Sequence, residues 1–432
     1  MNFPEALQYL FGLGHESLAL KLGLTNVERL LGRLASPQRA APAVQIAGTN
    51  GKGSTAAMLD AICRVAGVRT GLYTSPHLVS ITERIRLNGE NISPAEFARV
   101  TTVVRDQSQI LGREENIFPT FFEQVTAIAL GAFRDARVQL MILETGLGGR
   151  LDATTAAEAD YVAITPIDYD HQEYLGETLI EIAAEKAAII RPGVQAVIAP
   201  QQPEAARVIE ERLAACGVRA RHVVSGEQIG PGDQTGRLRA TFVTPEDRYE
   251  NVRLNLRGGH QLINAALAVN IAEVLRAGNF LITREAIIAG LEQAEHPGRL
   301  EYQAGEPPRL LDGAHNPAGA AALANYLIDF GARPLCVIFA AMRDKKFAEM
   351  ASLIFPLAET LILTRLADVR GAEPEDVRAA VESASTRQKI YVTASPAEAI
   401  DLARRLTPPH GLICVTGSLY LVGQVKQLLN GV

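Results

Sequence analysis

A glycine-rich segment, residues 48–54, lies between a short apolar strand and a helix, and it constrains the fold of this chain more than any other feature. The strand is predicted over Ala43–Ala47, and a helical pattern follows the segment through Arg64. A turn of this composition points backbone N–H groups and the positive end of a helix at an anion. The segment therefore predicts an α/β domain with a phosphate-binding loop.

The residues of this loop predict specific contacts with a nucleotide. Lys52 would reach the β- and γ-phosphates, and the Ser54 hydroxyl would bind the magnesium that accompanies them. The candidate ATP-binding residues here are Thr49, Asn50, Gly51, Lys52, Gly53 and Ser54. Gly53 separates the lysine from the hydroxyl, which departs from the common spacing of such loops. The alternative is a glycine-rich turn that holds a lysine by chance, but the strand before it and the helix after it disfavour this interpretation.

Lysine is scarce in the chain, which has seven lysines among 42 basic residues. Between Lys21 and Lys345 only Lys52 and Lys186 occur, although codon bias alone could produce such scarcity. Lys186 lies on the apolar stripe of a helix predicted over 178–190. A lysine on that face must be paired, have a depressed pKa or be modified. The pattern equally allows its stem to pack while its amine reaches solvent.

Strand and helix patterns alternate along the first part of the chain, which indicates a largely parallel sheet. Further strands are predicted over 69–74, 138–143 and 161–167. Between 193 and 259 the pattern loosens, and runs at 239–243 and 251–256 suggest short antiparallel strands. We therefore predict that residues 1–297 form a P-loop domain with a mixed, mostly parallel sheet and a small antiparallel region.

A second α/β domain is predicted after a linker around His296, Pro297 and Gly298. Its strands, which again alternate with helical stretches, are predicted over 309–311, 335–340, 360–363, 390–393 and 412–415. We predict a Rossmann-like domain over 298–432, a length within the usual range of one domain.

Three polar residues follow strands of the first predicted sheet, namely Ser75, Glu144 and His171. Because the carboxyl ends of parallel strands meet at one edge, these side chains should converge beside the phosphate loop. A hydroxyl, a carboxylate and an imidazole there could hold magnesium with ATP phosphates, although imidazole is an unusual ligand for this ion. Taken singly, Ser75 could start a turn, Glu144 could cap a helix and His171 could be a surface residue.

Two further loops carry chemically useful residues. Residues 146–150 lack the full dinucleotide fingerprint, so a flexible loop that admits a substrate close to its backbone is the preferred interpretation. In the second domain, Asp312 and His315 follow a strand, and Asn316 precedes a helix. This loop is either a simple turn capped by Asn316 or a loop that faces the nucleotide across the cleft between the domains.

Composition excludes several classes of protein. The net charge of −6 argues against a dominant nucleic-acid surface. The four cysteines lie far apart and form no CxxC, which indicates neither a disulfide framework nor a zinc site. No apolar run is long enough to suggest a membrane span, and the start of the chain lacks the pattern of a signal peptide. We expect a cytoplasmic protein with neither nucleic-acid nor membrane partners.

Several motifs, in order along nearly the whole chain, together resemble one family. They are residues 47–54, 73–78 with Glu83 and Arg84, 144–154, 170–171, 185–187, 297–299 and 312–317. The chain is similar to the Mur ligase superfamily, and within it to the folylpolyglutamate synthase/dihydrofolate synthase family. Only 47 residues precede Gly48, too few for the UDP-sugar-binding domain of the cell-wall ligases, which disfavours a peptidoglycan substrate.

The resemblance implies roles for individual residues. Magnesium, expected as two ions, would bind at Ser75, Glu144 and His171, and a carbamylated Lys186 would be an anionic metal ligand. Additional ATP contacts are implied for Asn264, Arg299 and Asp312. Segments that hold dihydropteroate in the family match Thr120, Phe121, Phe122 and Glu123, then Leu151, Asp152 and Ala153. Arg84 adds positive charge for the anionic substrates.

The implied reaction is ATP-dependent ligation of L-glutamate to folates, and also to dihydropteroate, through an acyl phosphate. Lys52, magnesium and Arg299 would stabilise charge during phosphoryl transfer, whereas His315 either assists the second step or orients phosphate. A monomer is expected. The alternatives are a Mur-type amide ligase for another carboxylate substrate, a P-loop NTPase or kinase, and a non-catalytic nucleotide-binding regulator.

Overall fold

The computed structural model describes residues 1–14, 23–331, 333–368, 370–382 and 388–430. Its strands are β1 (Ala43–Ala47), β2 (Thr70–Tyr73), β3 (Ile85–Leu87), β4 (Glu90–Asn91), β5 (Leu140–Glu144), β6 (Tyr161–Ile164), β7 (Gln195–Ile198), β8 (Arg221–His222), β9 (Glu227–Gln228), β10 (Arg239–Val243), β11 (Arg248–Arg253), β12 (Glu301–Gln303), β13 (Arg309–Leu311), β14 (Leu335–Phe339), β15 (Thr360–Thr364), β16 (Lys389–Thr393) and β17 (Leu412–Thr416).

Helices alternate with most of these strands. They are α1 (Phe3–Phe11), α2 (Thr25–Arg33), α3 (Lys52–Val65), α4 (Pro94–Glu115), α5 (Phe121–Asp135), α6 (Gln172–Leu175), α7 (Leu179–Ala187), α8 (Pro203–Cys216), α9 (Gln261–Ala277), α10 (Arg284–Gln293), α11 (Pro317–Phe330), α12 (Phe347–Ile354), α13 (Pro374–Glu382), α14 (Pro396–Leu406) and α15 (Leu419–Asn430). Among the described residues, none of these helices is long and apolar enough to cross a membrane.

The chain divides into two compact units. The first contains Met1–Gly226, Phe242–Tyr249 and Ile263–Ala294, and the second contains Glu227–Thr241, Glu250–Leu262 and Glu295–Val432. The second unit therefore takes in two stretches that precede its main part in the sequence. The division of the chain into 1–297 and 298–432 stays a prediction.

The first unit is built on an eight-stranded sheet in the order β4-β3-β2-β5-β1-β6-β7-β8. The pairs from β2 to β8 are parallel, whereas β3 runs antiparallel to both β2 and β4. Every residue of β1 and β5 is buried, as expected for central parallel strands covered on both faces. Register places Ile46 of β1 beside Glu144 of β5, so the end of β5 lies next to the start of the phosphate loop.

Two smaller sheets complete the fold. A three-stranded sheet has the order β11-β10-β9, and β9 pairs antiparallel with β10. The second unit contains a six-stranded sheet in the order β12-β13-β17-β14-β15-β16, parallel except for β12. The predicted fold class, a P-loop α/β domain with a small antiparallel region followed by a second α/β domain, is confirmed.

Local sequence signals explain where the helices near the site begin. The Thr120 side chain accepts a hydrogen bond from the Glu123 N–H, and Glu123 accepts one from the Thr120 N–H, so α5 starts with a capping box. Thr178 and Glu181 form the same motif at the start of α7. These caps fix the helices that carry the predicted pterin segment and Lys186.

Several predicted boundaries differ from the structure by a few residues. The strand predicted over 161–167 ends at Ile164, because the following residues turn back toward the phosphate loop. The helix predicted over 178–190 ends at Ala187. Glu144, predicted just beyond its strand, is the last residue of β5.

Candidate active site

The phosphate loop is shaped by two glycines in the left-handed region of backbone conformation. Gly48 has a φ of +144°, and a Cβ atom there would lie 1.9 Å from Oγ1 of Thr165. Gly51 has a φ of +92°, and a Cβ atom there would lie 2.2 Å from Oδ1 of Asn264. Both positions therefore need glycine for conformation and for space. The second contact places Asn264 directly against the loop.

Two lysine side chains meet at the start of this loop. Nζ of Lys52 donates hydrogen bonds to the carbonyl oxygens of Gly48 and Thr49, at 3.1 and 3.0 Å. Nζ of Lys186 donates to the same Gly48 oxygen at 2.9 Å. Lys186 is only 4% exposed, so the alternative in which its amine reaches solvent is wrong.

The surroundings of Lys186 favour its neutral form. Burial lowers the pKa of its amine to about 7, and the nearby charge of Lys52 acts in the same direction. The carboxylates of Asp170, Asp152 and Glu185 oppose this shift. An amine with this pKa is neutral for a large part of the time at neutral pH, unlike an ordinary lysine.

The segment after β6 braces the phosphate loop from the other side. The Thr49 N–H donates to the carbonyl oxygen of Pro166 at 3.1 Å. The Thr49 hydroxyl donates to the Asp168 carbonyl and accepts from the Asp168 N–H, both at 2.9 Å. His171 follows this segment, and its side chain is 38% exposed with Nε2 3.8 Å from Oδ1 of Asp170. These hydrogen bonds thus tie the segment that leads to His171 to the phosphate loop.

Ser75 and Glu144 are brought together as the sequence predicts. The Ser75 N–H donates to Oε2 of Glu144 at 3.0 Å, and Glu144 is buried. The contact arises because β2 and β5 are parallel neighbours whose carboxyl ends share one edge. Among the described residues, no three His, Cys, Asp or Glu side chains are grouped so as to hold a metal ion. Any metal here would need hydroxyl, phosphate or modified side-chain oxygens as well.

The residues predicted to hold pterin are buried to different degrees. Phe121 is 4% exposed, and Cζ of the Arg84 guanidinium lies 5.6 Å from the centroid of its ring. Nε of Arg84 donates to Nδ1 of His77 at 2.9 Å. The ring of Phe11 stacks on Phe121 with centroids 6.1 Å apart. Phe122 is less buried than Phe121, which leaves more of its ring for contact with a ligand.

The glycines of residues 146–150 serve packing, which differs from the flexible loop predicted from the sequence. A Cβ atom on Gly149 would lie 2.7 Å from the carbonyl oxygen of Glu185 in α7, and one on Gly146 would lie 2.5 Å from Phe122. The Arg150 N–H also donates to the Glu185 carbonyl at 2.9 Å. The close approach that glycine permits is therefore to this chain's own helix and ring.

Asp152, next to Leu151 and Ala153, fixes the far end of that loop. Its Oδ2 accepts a hydrogen bond from the Leu147 N–H, and its Oδ1 accepts from the N–H and hydroxyl of Thr154. Burial raises the pKa of the Asp152 carboxyl, and these hydrogen bonds act in the opposite direction. The carboxyl group is thus an internal brace of the predicted pterin segment.

In the second unit, Arg299, Asp312 and His315 converge on one turn. The buried Asp312 carboxylate accepts hydrogen bonds from the N–H groups of Leu300 and Ala314, at 2.9 and 3.0 Å. Burial raises the pKa of Asp312, while Arg299 lowers it. Arg299 and Nδ1 of His315 both lie within hydrogen-bond distance of the Gly313 carbonyl, at 3.3 and 2.9 Å. Since that oxygen can only accept, Nδ1 of His315 carries a proton.

Some residues around the site were not found from the sequence. Asn316 caps α11, as one alternative proposed, by accepting the Gly319 N–H at 2.8 Å. His77, Thr165 and Asp168, by contrast, carried no signal strong enough to be singled out. Thr165 and Asp168 contact the phosphate loop, which lies far away along the chain, and only the fold reveals such pairs. His77 contacts Arg84, which is only 7 residues away.

Two family models together match most of the chain. Residues 46–272 match the Mur ligase middle domain, and residues 298–419 match the Mur ligase glutamate ligase domain. The dihydrofolate synthase/folylpolyglutamate synthase of Bacillus subtilis is 34% identical over 426 residues, which cover 96% of this chain and 97% of that protein. A Haloferax volcanii protein named probable bifunctional folylpolyglutamate synthase/dihydropteroate synthase is 34% identical over 99% of this chain, but the chain spans only 50% of that protein.

A solved structure extends the likeness to three dimensions. The folylpolyglutamate synthase of Mycobacterium tuberculosis, complexed with ADP, superposes with a TM-score of 0.90 and 30% identity. The match covers 99% of this chain and 98% of that one.

Proposed function

The chain belongs to the folylpolyglutamate synthase/dihydrofolate synthase family of Mur ligases, which are ATP-dependent ligases, and we propose that it adds L-glutamate both to folates and to dihydropteroate. The family predicted from the sequence motifs is thereby confirmed. The two-substrate activity follows the name of the Bacillus subtilis relative, which aligns over nearly its whole length.

The observation that carries the proposal is the arrangement around Gly48. The phosphate loop and the Ser75–Glu144 pair lie at the carboxyl ends of the neighbouring strands β2, β5 and β1. Two lysines, Lys52 of α3 and Lys186 of α7, bring their amines to the Gly48 carbonyl of that loop. Amide formation from a carboxylic acid needs the carboxylate to be activated, and transfer of a phosphoryl group is one way to do this. A site that concentrates positive charge and phosphate-binding N–H groups supports such a transfer.

The reaction proceeds in two steps. The substrate carboxylate attacks the γ-phosphorus of ATP and breaks its bond to the bridging oxygen, which yields an acyl phosphate and ADP. The amino group of L-glutamate then attacks the carbonyl carbon, loses a proton and expels phosphate to leave the amide. Lys52 and the loop N–H groups of residues 49–54 stabilise the charge that develops on the transferred phosphoryl group.

The donor set suits Mg²⁺. We assign Ser54, Ser75, Glu144 and His171 as residues that hold two ions. The first three supply hydroxyl or carboxylate oxygens, which are hard donors, whereas the His171 imidazole is an unusual ligand for this ion. Bound Mg²⁺ would neutralise phosphate charge during transfer. Glu144 is already oriented by the Ser75 N–H, so its carboxylate is held in place at the edge of the sheet.

A carbamylated Lys186 completes this set. In that reaction the neutral amine forms a bond to the carbon of carbon dioxide and releases a proton, which leaves an anionic carbamate. The lowered pKa of the amine supplies the neutral nucleophile that the reaction requires. The product replaces a buried cation by oxygen donors that a hard metal ion accepts.

Further residues are assigned to the substrates. Asn264, which packs against Gly51, is proposed to contact ATP. The same role is proposed for Arg299 and Asp312. His315 either assists attack by glutamate or orients phosphate. The pterin site is proposed to include Arg84 and the two segments Thr120, Phe121, Phe122, Glu123 and Leu151, Asp152, Ala153. We also propose that the enzyme is monomeric and cytoplasmic. Light scattering of the purified protein measures the oligomeric state.

The test is ADP release by the purified protein with ATP, Mg²⁺ and L-glutamate, plus either dihydropteroate or tetrahydrofolate. Release with both acceptors, only when glutamate is present, supports the proposal. Release with tetrahydrofolate alone removes the dihydropteroate activity. ATP hydrolysis that needs no amine would indicate an NTPase, and turnover with neither acceptor would overturn the folate assignment in favour of another carboxylate substrate or a nucleotide-binding regulator.

A further inference from the structure

Gln45 is a polar residue in the middle of the buried strand that leads into the phosphate loop. Its side chain is 0% exposed, although its neighbours in β1 are alanine, valine and isoleucine. Nε2 lies within hydrogen-bond distance of three hydroxyl oxygens, those of Thr145, Thr154 and Thr155, at 3.2, 3.0 and 2.8 Å. These three threonines lie 100, 109 and 110 positions further along the chain.

The protons in this cluster determine how the amide is oriented. The Thr154 hydroxyl donates its proton to Oδ1 of Asp152, and the Thr155 hydroxyl donates to the carbonyl oxygen of Gly149 at 2.7 Å. Both hydroxyls can therefore only accept from Gln45. The amide nitrogen has two protons, which match these two acceptors. Its carbonyl oxygen Oε1 is buried and has no hydrogen-bond partner among the described residues.

Leaving a buried carbonyl unpaired costs free energy, so the position is unfavourable for core packing alone. The side chain instead connects β1 to two points of the loop of residues 146–153. Through Thr155 it reaches Gly149, and through Thr154 it reaches Asp152, which in turn accepts the Leu147 N–H. That loop also packs on the backbone of α7, the helix that carries Lys186.

We propose that Gln45 is a positioning residue that fixes the loop of residues 146–153 at the distance from the phosphate-loop strand at which the pterin-bearing substrate binds productively. The proposal rests on the proposed function only for the identity of that substrate. Gln45 lies in β1 and touches the loop through Thr154 and Thr155, so it acts on the substrate through them.

The central experiment compares the wild-type protein with Gln45→Leu, which keeps the volume and removes the amide donor. We expect the KM for tetrahydrofolate and for dihydropteroate to rise about tenfold, the effect of losing one net hydrogen bond. The KM for ATP should stay within about twofold of the wild-type value. Hydrogen exchange at the amides of Leu147 and Thr154, both of which donate to Asp152, should accelerate in the variant.

Two further variants make the result decisive if Gln45→Leu folds poorly. Thr155→Val removes one acceptor while Gln45 stays in place, and it should reproduce part of both effects. Asn270→Leu removes another buried amide, one that donates to the Ala266 carbonyl within α9. It should lower thermal stability without changing hydrogen exchange in residues 146–153. The ratio of the folate KM to the ATP KM should also stay unchanged.

The outcomes separate this proposal from the proposed function. Three results in Gln45→Leu would each overturn the role of Gln45. The first is unchanged hydrogen exchange in residues 146–153, and the second is faster exchange with an unchanged folate KM. The third is a rise in the ATP KM equal to the rise in the folate KM. If the wild-type protein used neither folate nor dihydropteroate, the proposed function would fail, and the exchange measurements would still judge whether Gln45 holds the loop.

Discussion

Lys52 and Lys186 donate hydrogen bonds to one and the same atom, the carbonyl oxygen of Gly48, at 3.1 and 2.9 Å. Two ammonium groups on one oxygen repel each other, and this repulsion adds to burial in lowering the pKa of Lys186. The charge state of Lys186 is therefore linked to the first residue of the phosphate loop.

Replacement of Lys186 by arginine should abolish carbamylation, because a guanidinium keeps its proton and cannot attack carbon dioxide. We expect the wild-type protein in ¹³C-labelled bicarbonate to show a carbamate NMR signal that Lys186→Arg lacks. Ligase activity should fall by about 10- to 100-fold, the range seen for groups around a catalytic metal. Lys389→Arg, at an exposed lysine, is the matched control. Full activity in Lys186→Arg would contradict the assignment.

Unmodified Lys186 should make the fold more stable as the pH rises. In the unfolded chain the amine keeps its ordinary pKa of 10.5, whereas in the fold the pKa is about 7. Between these values the unfolded state binds more protons, so the free energy of unfolding rises by up to about 1.4 kcal/mol per pH unit. Below the folded pKa both states are protonated, and the contribution is constant.

The measurement is urea unfolding of the wild-type protein and Lys186→Met from about pH 7 to about pH 9 in buffer free of carbon dioxide. Lys186→Met should lack this part of the slope. Equal slopes in both proteins would show that the amine does not titrate as its burial requires.

Gly51→Ala should damage nucleotide binding beyond its effect on stability. The added methyl group would meet Oδ1 of Asn264 at 2.2 Å, so the loop or Asn264 must move. Gly193→Ala is the matched control, because Gly193 also has a positive φ, +86°, but no atom within 4 Å of the added Cβ. Both variants should lose roughly 1–2 kcal/mol of stability from the backbone conformation.

Only Gly51→Ala should raise the KM for ATP, by about tenfold or more, which corresponds to about 1.4 kcal/mol. Titration with a fluorescent ATP analogue measures the same difference without turnover. An equal ATP affinity in the two variants would show that the contact with Asn264 does not shape the nucleotide site.

Glu144→Gln should weaken the response to Mg²⁺ while the sheet edge stays intact. The amide oxygen can still accept the Ser75 N–H, but the negative charge is lost. We expect the Mg²⁺ concentration for half-maximal activity to rise about 10-fold or more. Glu90→Gln, at an exposed glutamate, controls for the change in net charge. An unchanged Mg²⁺ requirement would remove Glu144 from the metal site.

The parts of the site that follow from strand order could be predicted from the sequence. Ser75 and Glu144 meet because they stand at the ends of β2 and β5, and parallel neighbours share an edge. The position of Lys186 on the apolar face of its helix could also be predicted, because helical spacing placed it among apolar residues. Such inferences need only periodicity within one element and the alternation of strands and helices that indicates a parallel sheet.

The hydrogen-bond acceptor of the Lys186 amine could not be predicted from the sequence, because it lies 138 residues earlier in the chain. The partners of Gln45 could not be predicted either. In the sequence Gln45 is a single polar residue in an apolar strand, and only the fold brings Thr154 and Thr155 next to it. The glycines at 146 and 149 show the converse limit. Composition indicated room for a substrate, whereas the space is taken by Phe122 and by the backbone of α7.

The bracing of Thr49 has a thermodynamic consequence. Its N–H and its hydroxyl are both engaged with the segment after β6, and Thr165 occupies the space beside Gly48. The loop is thus shaped by the protein before any phosphate arrives, and little conformational entropy remains to be lost on binding. Calorimetry of nucleotide binding should therefore show a small entropic penalty, in contrast to a loop that becomes ordered only around its ligand.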